Sequence, residues 1–178
     1  MATLTEYLGS VDDTFNFGTA NIIAMGFKIP AGATITGWGI VGSRGNNATA
    51  GTFRVEVYEG SGNPNAGTLI LSEDYDRTVL PTYTASPTLQ SFVFGTPSGV
   101  LTGGSTQYYL VITPLTGSSN DCVRWSTDNT SPTYADGNTW GWTSGTWTSY
   151  PTFDQNFQIT GTTGGAVDTT KFFSLMMR

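Results

Sequence analysis

Three kinds of side chain in this sequence have the types and spacing to do chemistry: clustered carboxylates, a run of aromatics and a single thiol. Glu73, Asp74 and Asp76 stand close together, and two carboxylates, one of them with a raised pKa, are what glycoside hydrolysis requires. They follow a short apolar run in a polar stretch, which reads as a solvated loop. The chain has no histidine, which excludes Ser-His-Asp and Cys-His arrangements and most catalytic zinc sites. Gly62 and Gly67 have P-loop spacing, but Thr68 and Leu69 stand where Lys and Ser/Thr belong, so the phosphate-binding lysine is missing. Cys122 is the sole cysteine. It can form no intrachain disulfide, and its apolar neighbours predict a buried thiol rather than a nucleophile. No catalytic residue and no metal or cofactor site is expected, and the reading is non-enzymatic.

The aromatics offer binding chemistry instead. Trp140, Trp142, Trp147 and Tyr150, with Trp125, can build a platform for sugar rings, and Asp136 and Asn138 stand near enough in sequence to hydrogen-bond hydroxyls. The competing reading is packing, because large aromatics carry much apolar area and pair well across a hairpin. In a strand Trp140 and Trp142 face the same side, so both are core or both are exposed, and the burial ranks of aromatics favour core. Asp12-Asp13, Asp128-Asn129 and Asp154 with Asn156 carry oxygens that calcium accepts. None has EF-hand spacing, and turn-forming Asx side chains account for them.

These residues must be placed by strands. Short apolar runs recur about every ten residues between Gly, Pro, Asn, Ser and Thr, the spacing of a sandwich or barrel. Residues 21–29, 34–41, 68–72, 89–94 and 108–113 read as strands, and 121–126, 137–142, 146–149 and 153–160 supply the final third. Phe53, Val55 and Val57 alternate with Arg54, Glu56 and Tyr58. That is period two with one wet face, as in an antiparallel sheet packed on one side. The composition agrees: 23 glycines and 11% charged residues, against roughly 25% in ordinary soluble domains. The expected fold is all-β, an antiparallel, jelly-roll-like β-sandwich over residues 20–161. Residues 1–19 form an N-terminal arm or edge strand and 162–178 an apolar C-terminal arm.

Net charge is −6, and the seven basic residues form no patch, which argues against nucleic acid as a partner. No window is apolar enough for a membrane-spanning helix. The first residues lack the basic and apolar regions of a secretory signal, so export by that route is not expected.

Certain fragments together resemble a β-sandwich, jelly-roll-like module of phage virion proteins, bacterial surface proteins and carbohydrate-binding proteins. They are Phe27-Lys-Ile29-Pro-Ala-Gly32 with Ile35-Thr-Gly37, Val55-Glu-Val57-Tyr58 with Gly62-Asn-Pro64, Tyr108-Tyr109-Leu110-Val111, Val123-Arg124-Trp125 and the Trp140 to Trp147 hairpin. The resemblance implies a non-catalytic role in binding, adhesion or assembly. With no export signal expected, it points to a virion exterior assembled in a host cytoplasm, and otherwise to a cell surface reached without a signal peptide.

The C-terminus carries the partner expectation. Phe172, Phe173, Leu175, Met176 and Met177 follow a Gly-Gly hinge, and each is worth roughly 1.5–3 kcal/mol when buried. They read as a docking arm for a second copy or for a major capsid protein, or as a strap over the chain's own sheet edge. The expected function is a capsid decoration or shell-stabilising protein; the alternative is a carbohydrate- or receptor-binding module of fibre or adhesin type, with a glycan as partner.

Overall fold

The computed structural model describes residues 1–17, 21–45, 51–83, 87–116 and 123–164. Cys122 and the five large apolar residues from Phe172 to Met177 lie outside them.

The described residues form an all-β sandwich of two antiparallel sheets. In chain order the strands are β1 (Ala2–Tyr7), β2 (Asp13–Phe17), β3 (Asn21–Phe27), β4 (Thr34–Arg44), β5 (Thr52–Glu59), β6 (Thr68–Asp76) and β7 (Leu89–Val93). They continue with β8 (Tyr108–Pro114), β9 (Val123–Asp128), β10 (Thr139–Thr143), β11 (Thr146–Tyr150), β12 (Asp154–Gln155) and β13 (Phe157–Thr162). The first sheet runs β1-β13-β4-β9-β12, with β2 on β9 and β7 on β4. The second runs β11-β10-β3-β8-β5-β6.

Side-chain alternation explains why the sheets face each other. Ile23, Met25 and Phe27 of β3, Phe53, Val55 and Val57 of β5, and Tyr108, Leu110 and Ile112 of β8 form one inward layer. They pack on Ile35, Trp38 and Ile40 of β4, Val123 and Trp125 of β9, and Phe157 and Ile159 of β13. Trp38 is fully buried, stacks on Phe92 with centroids 4.5 Å apart, and donates its indole N–H to the Tyr75 hydroxyl at 3.0 Å. Trp125, also fully buried, donates to the Asn156 carbonyl at 2.8 Å. A buried indole needs such a partner, because an unmet donor costs about 1–3 kcal/mol.

The structure lengthens or splits several elements. The stretch holding Glu73, Asp74 and Asp76 is strand, not loop, because β6 runs on to Asp76 along β5. Asp74 faces Arg54 across that pair, with a guanidinium-to-carboxylate distance of 2.6 Å. The polar composition that suggested a loop is that of an edge strand, charged against mispairing. The N-terminal residues form two strands, β1 on β13 and β2 on β9. The segment after Tyr150 breaks at Asn156, whose backbone carbonyl turns to Val41 N–H at 3.1 Å and so separates β12 from β13.

Candidate functional site

The outward face of the second sheet is unlike an ordinary solvated face. Strand pairing lines up Ser149, Trp140, Ala24, Val111, Glu56 and Ser72 as one row across six strands. On one side of it Trp147 pairs with Trp142, and Trp142 with Ile22. On the other side Tyr109 pairs with Tyr58. Ala24, Tyr109 and Val111 are buried here, packed under Ile22, Tyr58, Trp140 and Trp147. They make a second apolar cluster on the side away from the sandwich core.

Two local devices shape this face. Thr143 and Thr146 close β10 on β11 through a two-residue turn in which Ser144 and Gly145 both have positive φ, 53° and 89°. This is the type I′ geometry that matches strand twist, and it sets Trp142 opposite Trp147. On the other flank, residues 60–67 rise from β5 and carry the 3-10 turn Pro64–Ala66, capped by Asn63, whose side chain accepts from Ala66 N–H at 3.1 Å. The Tyr109 hydroxyl donates to the Gly62 carbonyl at 2.6 Å and holds this loop against the sheet.

Between the two lies a groove of about 210 Å³. Trp142 and Trp147 stand at one side, Tyr58, Pro64 and Asn65 at the other, and Ile22, Val111, Thr113 and Glu56 between them. Glu56 is half-buried and is the single charged residue among the groove's lining. Burial pushes its carboxyl above the usual range, opposed by the hydrogen bond from the Tyr58 hydroxyl at 3.3 Å and by the charge of Arg54. Arg54 itself is committed to Asp74, with bonds of 2.6 and 3.0 Å. Burial raises the Tyr58 phenol as well, and the neighbouring Glu56 adds to the effect.

The groove therefore brings together Trp142 and Trp147 of the expected aromatic set. Trp140 sits one row along, half-buried and edge-on to Tyr109 at 6.4 Å. The core reading of Trp140 and Trp142 does not hold: alternation gives them a common side, and pairing makes it the outer one. Tyr150 is separated from them on the opposite face of β11, packed against Phe15 and Phe153. Asp136 is exposed and pairs with Lys28 at 3.2 Å. Asn138 is exposed, and its backbone carbonyl accepts from Gly26 N–H at 2.9 Å. Neither lines the groove. Gly137 permits this approach, since a Cβ there would run into the Gly26 carbonyl. Sequence reasoning missed the rest of the lining: Glu56, Tyr58, Pro64 and Asn65, with Ile22, Val111 and Thr113 between the walls. The alternation of β5 put Glu56 and Tyr58 on one side together, but only the register from β5 through β8 and β3 to β10 shows that this side is the tryptophans' side.

The acidic clusters are otherwise occupied. Asp128 accepts from Thr130 and Ser131 N–H, from Ser10 N–H and from the Tyr7 hydroxyl. Asp12 accepts from Thr130, Asp13 from Thr14 N–H, and Asp154 from Tyr134 N–H. Glu73 accepts from Gly95 N–H at 2.7 Å, at the side of a depression of about 470 Å³ beside β6. Among the described residues no three His, Cys, Asp or Glu side chains gather as a metal site would need.

No family model and no curated protein matches this sequence. Among solved structures, the chain is similar in fold to one holding the cysteine protease and lectin-like domains of Cwp84, a surface layer associated protein of Clostridium difficile. The TM-score is 0.53 at 8% identity, and the match covers 86% of this chain and 36% of that one. The likeness is one of fold.

Proposed function

We propose that this chain is a non-enzymatic carbohydrate-binding β-sandwich module, and that the groove on the second sheet is its sugar site. The observation that carries this reading is the Trp142–Trp147 pair standing across one groove from Tyr58 and the overhanging Pro64–Ala66 turn. A pyranose has apolar C–H faces and a rim of hydroxyls. Indole and phenol rings complement the faces, and Glu56, Asn65 and Thr113 are at hand for the hydroxyls. One carboxylate lines the groove where glycoside hydrolysis takes two, which supports binding without bond cleavage. The similar structure holds a lectin-like domain beside a cysteine protease domain in a surface layer associated protein, which accords with a module displayed at a surface, whether of a cell or of a virion. The shell-decoration reading depends on Phe172 to Met177, whereas the groove stands wholly on described residues.

A glycan array tests the proposal. Selective binding by the wild-type chain, lost in a folded Trp142→Ala variant, is the expected result. Absence of binding to every glycan, with copurification on capsids at high copy number, would overturn it in favour of the shell.

A further inference from the structure

We infer that the groove's preferred ligand is a cationic sugar, an oligosaccharide of hexosamine units with free, protonated amines, held by the Glu56 carboxylate between aromatic walls. The inference rests on the sugar-binding reading and names the ligand class within it.

The argument is one of charge and position. Glu56 is the groove's single charged lining residue and lies in the row of Trp140, Ala24 and Val111. The nearest candidate counter-ion, Arg54, faces Asp74 across the β5–β6 pair and is bound to it through two nitrogens. Tyr58 supplies one neutral hydrogen bond to one carboxylate oxygen. A half-buried carboxylate whose nearest cation among the described residues, Arg54, is hydrogen-bonded to another carboxylate gains from a ligand that brings a cation of its own. The aromatic surroundings act in the same sense, because the faces of Trp142, Trp147 and Tyr58 attract ammonium groups through their ring quadrupoles. At long range the net charge of −6 repels anionic sugars and attracts cationic ones. The extent of the site selects a sugar over a small cation. From β5 to β10 is three strand steps, about 14 Å, and Asn65 and Thr113 add neutral polar groups suited to hydroxyls.

The groups that set the charge of Glu56 are Arg54 and Tyr58 on its own strand and Asp74 on β6. On β8 it is paired with Val111, and the tryptophans opposite do not titrate. Binding therefore has a window. It needs pH above the raised Glu56 value, so that the carboxylate is ionised, and below the pKa of the ligand amine.

The test titrates three oligomers of one length into the full chain at mildly acidic pH, where the glucosamine amines are protonated and Glu56 is ionised, following tryptophan fluorescence and calorimetry. They are β-1,4-linked glucosamine, its N-acetylated counterpart and the neutral glucose oligomer; choline chloride is run as a fourth probe. Expected is tighter binding of the glucosamine oligomer by at least about tenfold, the scale of one charged hydrogen bond, with the preference abolished in Glu56→Gln and all binding lost in Trp142→Ala. Neutral or acetylated oligomers binding as tightly, with Trp142 still required, would overturn the inference and leave the sugar site standing. Glu56-dependent binding of choline without glucosamine would overturn it too. No binding of any oligomer would overturn both.

Discussion

The Tyr109 hydroxyl reaches out of the second sheet to the carbonyl of Gly62 at 2.6 Å, tying the start of β8 to the loop that overhangs the groove. Tyr109 is itself buried under Tyr58 and Trp140. One side chain thus belongs both to the apolar cluster of the outer face and to the tether of the groove's wall. Tyr109→Phe keeps the ring and removes only the tether. The expected loss of stability is about 0.5–1.5 kcal/mol, read from denaturant midpoints at unchanged m-value. Glycan affinity should fall further than that loss alone explains, because residues 60–67 must then be ordered on binding. Equal affinity in Tyr109→Phe and wild type would show that the loop plays no part in recognition.

Trp142 and Trp125 make a matched contrast. Trp125 is fully buried between the sheets with its indole bonded to Asn156, while Trp142 is half-buried on the outer face. Trp125→Ala should cost about 3–5 kcal/mol and unfold a marginal domain. Trp142→Ala should leave the thermal midpoint within a few degrees of wild type. Fluorescence gives an independent check, since an added quencher should reach Trp142 and Trp147 in the folded protein and spare Trp38 and Trp125.

Those two tryptophans also show how far the sequence could be read. The alternation of β5 is enough to bury Phe53, Val55 and Val57, and Pro and Gly punctuation locates most strand ends, because both signals are local. Parity places Trp140 with Trp142 but cannot say which side they face, since that depends on which sheet β10 joins. Pairing of Trp142 with Ile22 spans most of the chain, and no local pattern encodes it. Glu73 to Asp76 failed for a related reason: edge strands are charged by the same rule that makes loops polar. Glu56 was legible as wet-faced, and only the register turned that face into a groove wall.

Asp128 should govern the acid limb of stability. The Ser131 N–H, followed by the Tyr7 hydroxyl and the Ser10 N–H, holds its carboxyl below the ordinary range against the opposing effect of burial. A depressed folded-state pKa contributes stability that is present above the unfolded value, about 3.9, and is lost as pH falls through the folded value. Asp154 has the opposite sign: burial raises it, so its contribution is present at low pH and is lost as pH rises through its folded value. Asp128→Asn presents an amide where four donors converge, and should cost about 1–3 kcal/mol near neutrality. It should also flatten the decline of stability below pH 4. Parallel pH–stability curves for variant and wild type would refute the assignment.

The turn between β10 and β11 offers a way to change the site without touching its lining. Ser144 holds φ at 53° and Gly145 at 89°, a conformation that disfavours most side chains by about 1–2 kcal/mol. Asparagine tolerates it better than serine, and Asn-Gly is the preferred pair for a type I′ turn. Ser144→Asn is therefore expected to raise stability by a few tenths of a kcal/mol and to leave the Trp142–Trp147 register and glycan binding unchanged. Gly145→Val places a β-branched side chain at positive φ. It should shift the turn, spread the two indoles and weaken binding, with a stability loss of about 1–2 kcal/mol or more. The measurement is a denaturant melt beside a glycan titration for both variants. If Gly145→Val binds as wild type does, the paired geometry of the two tryptophans is not what the sugar reads.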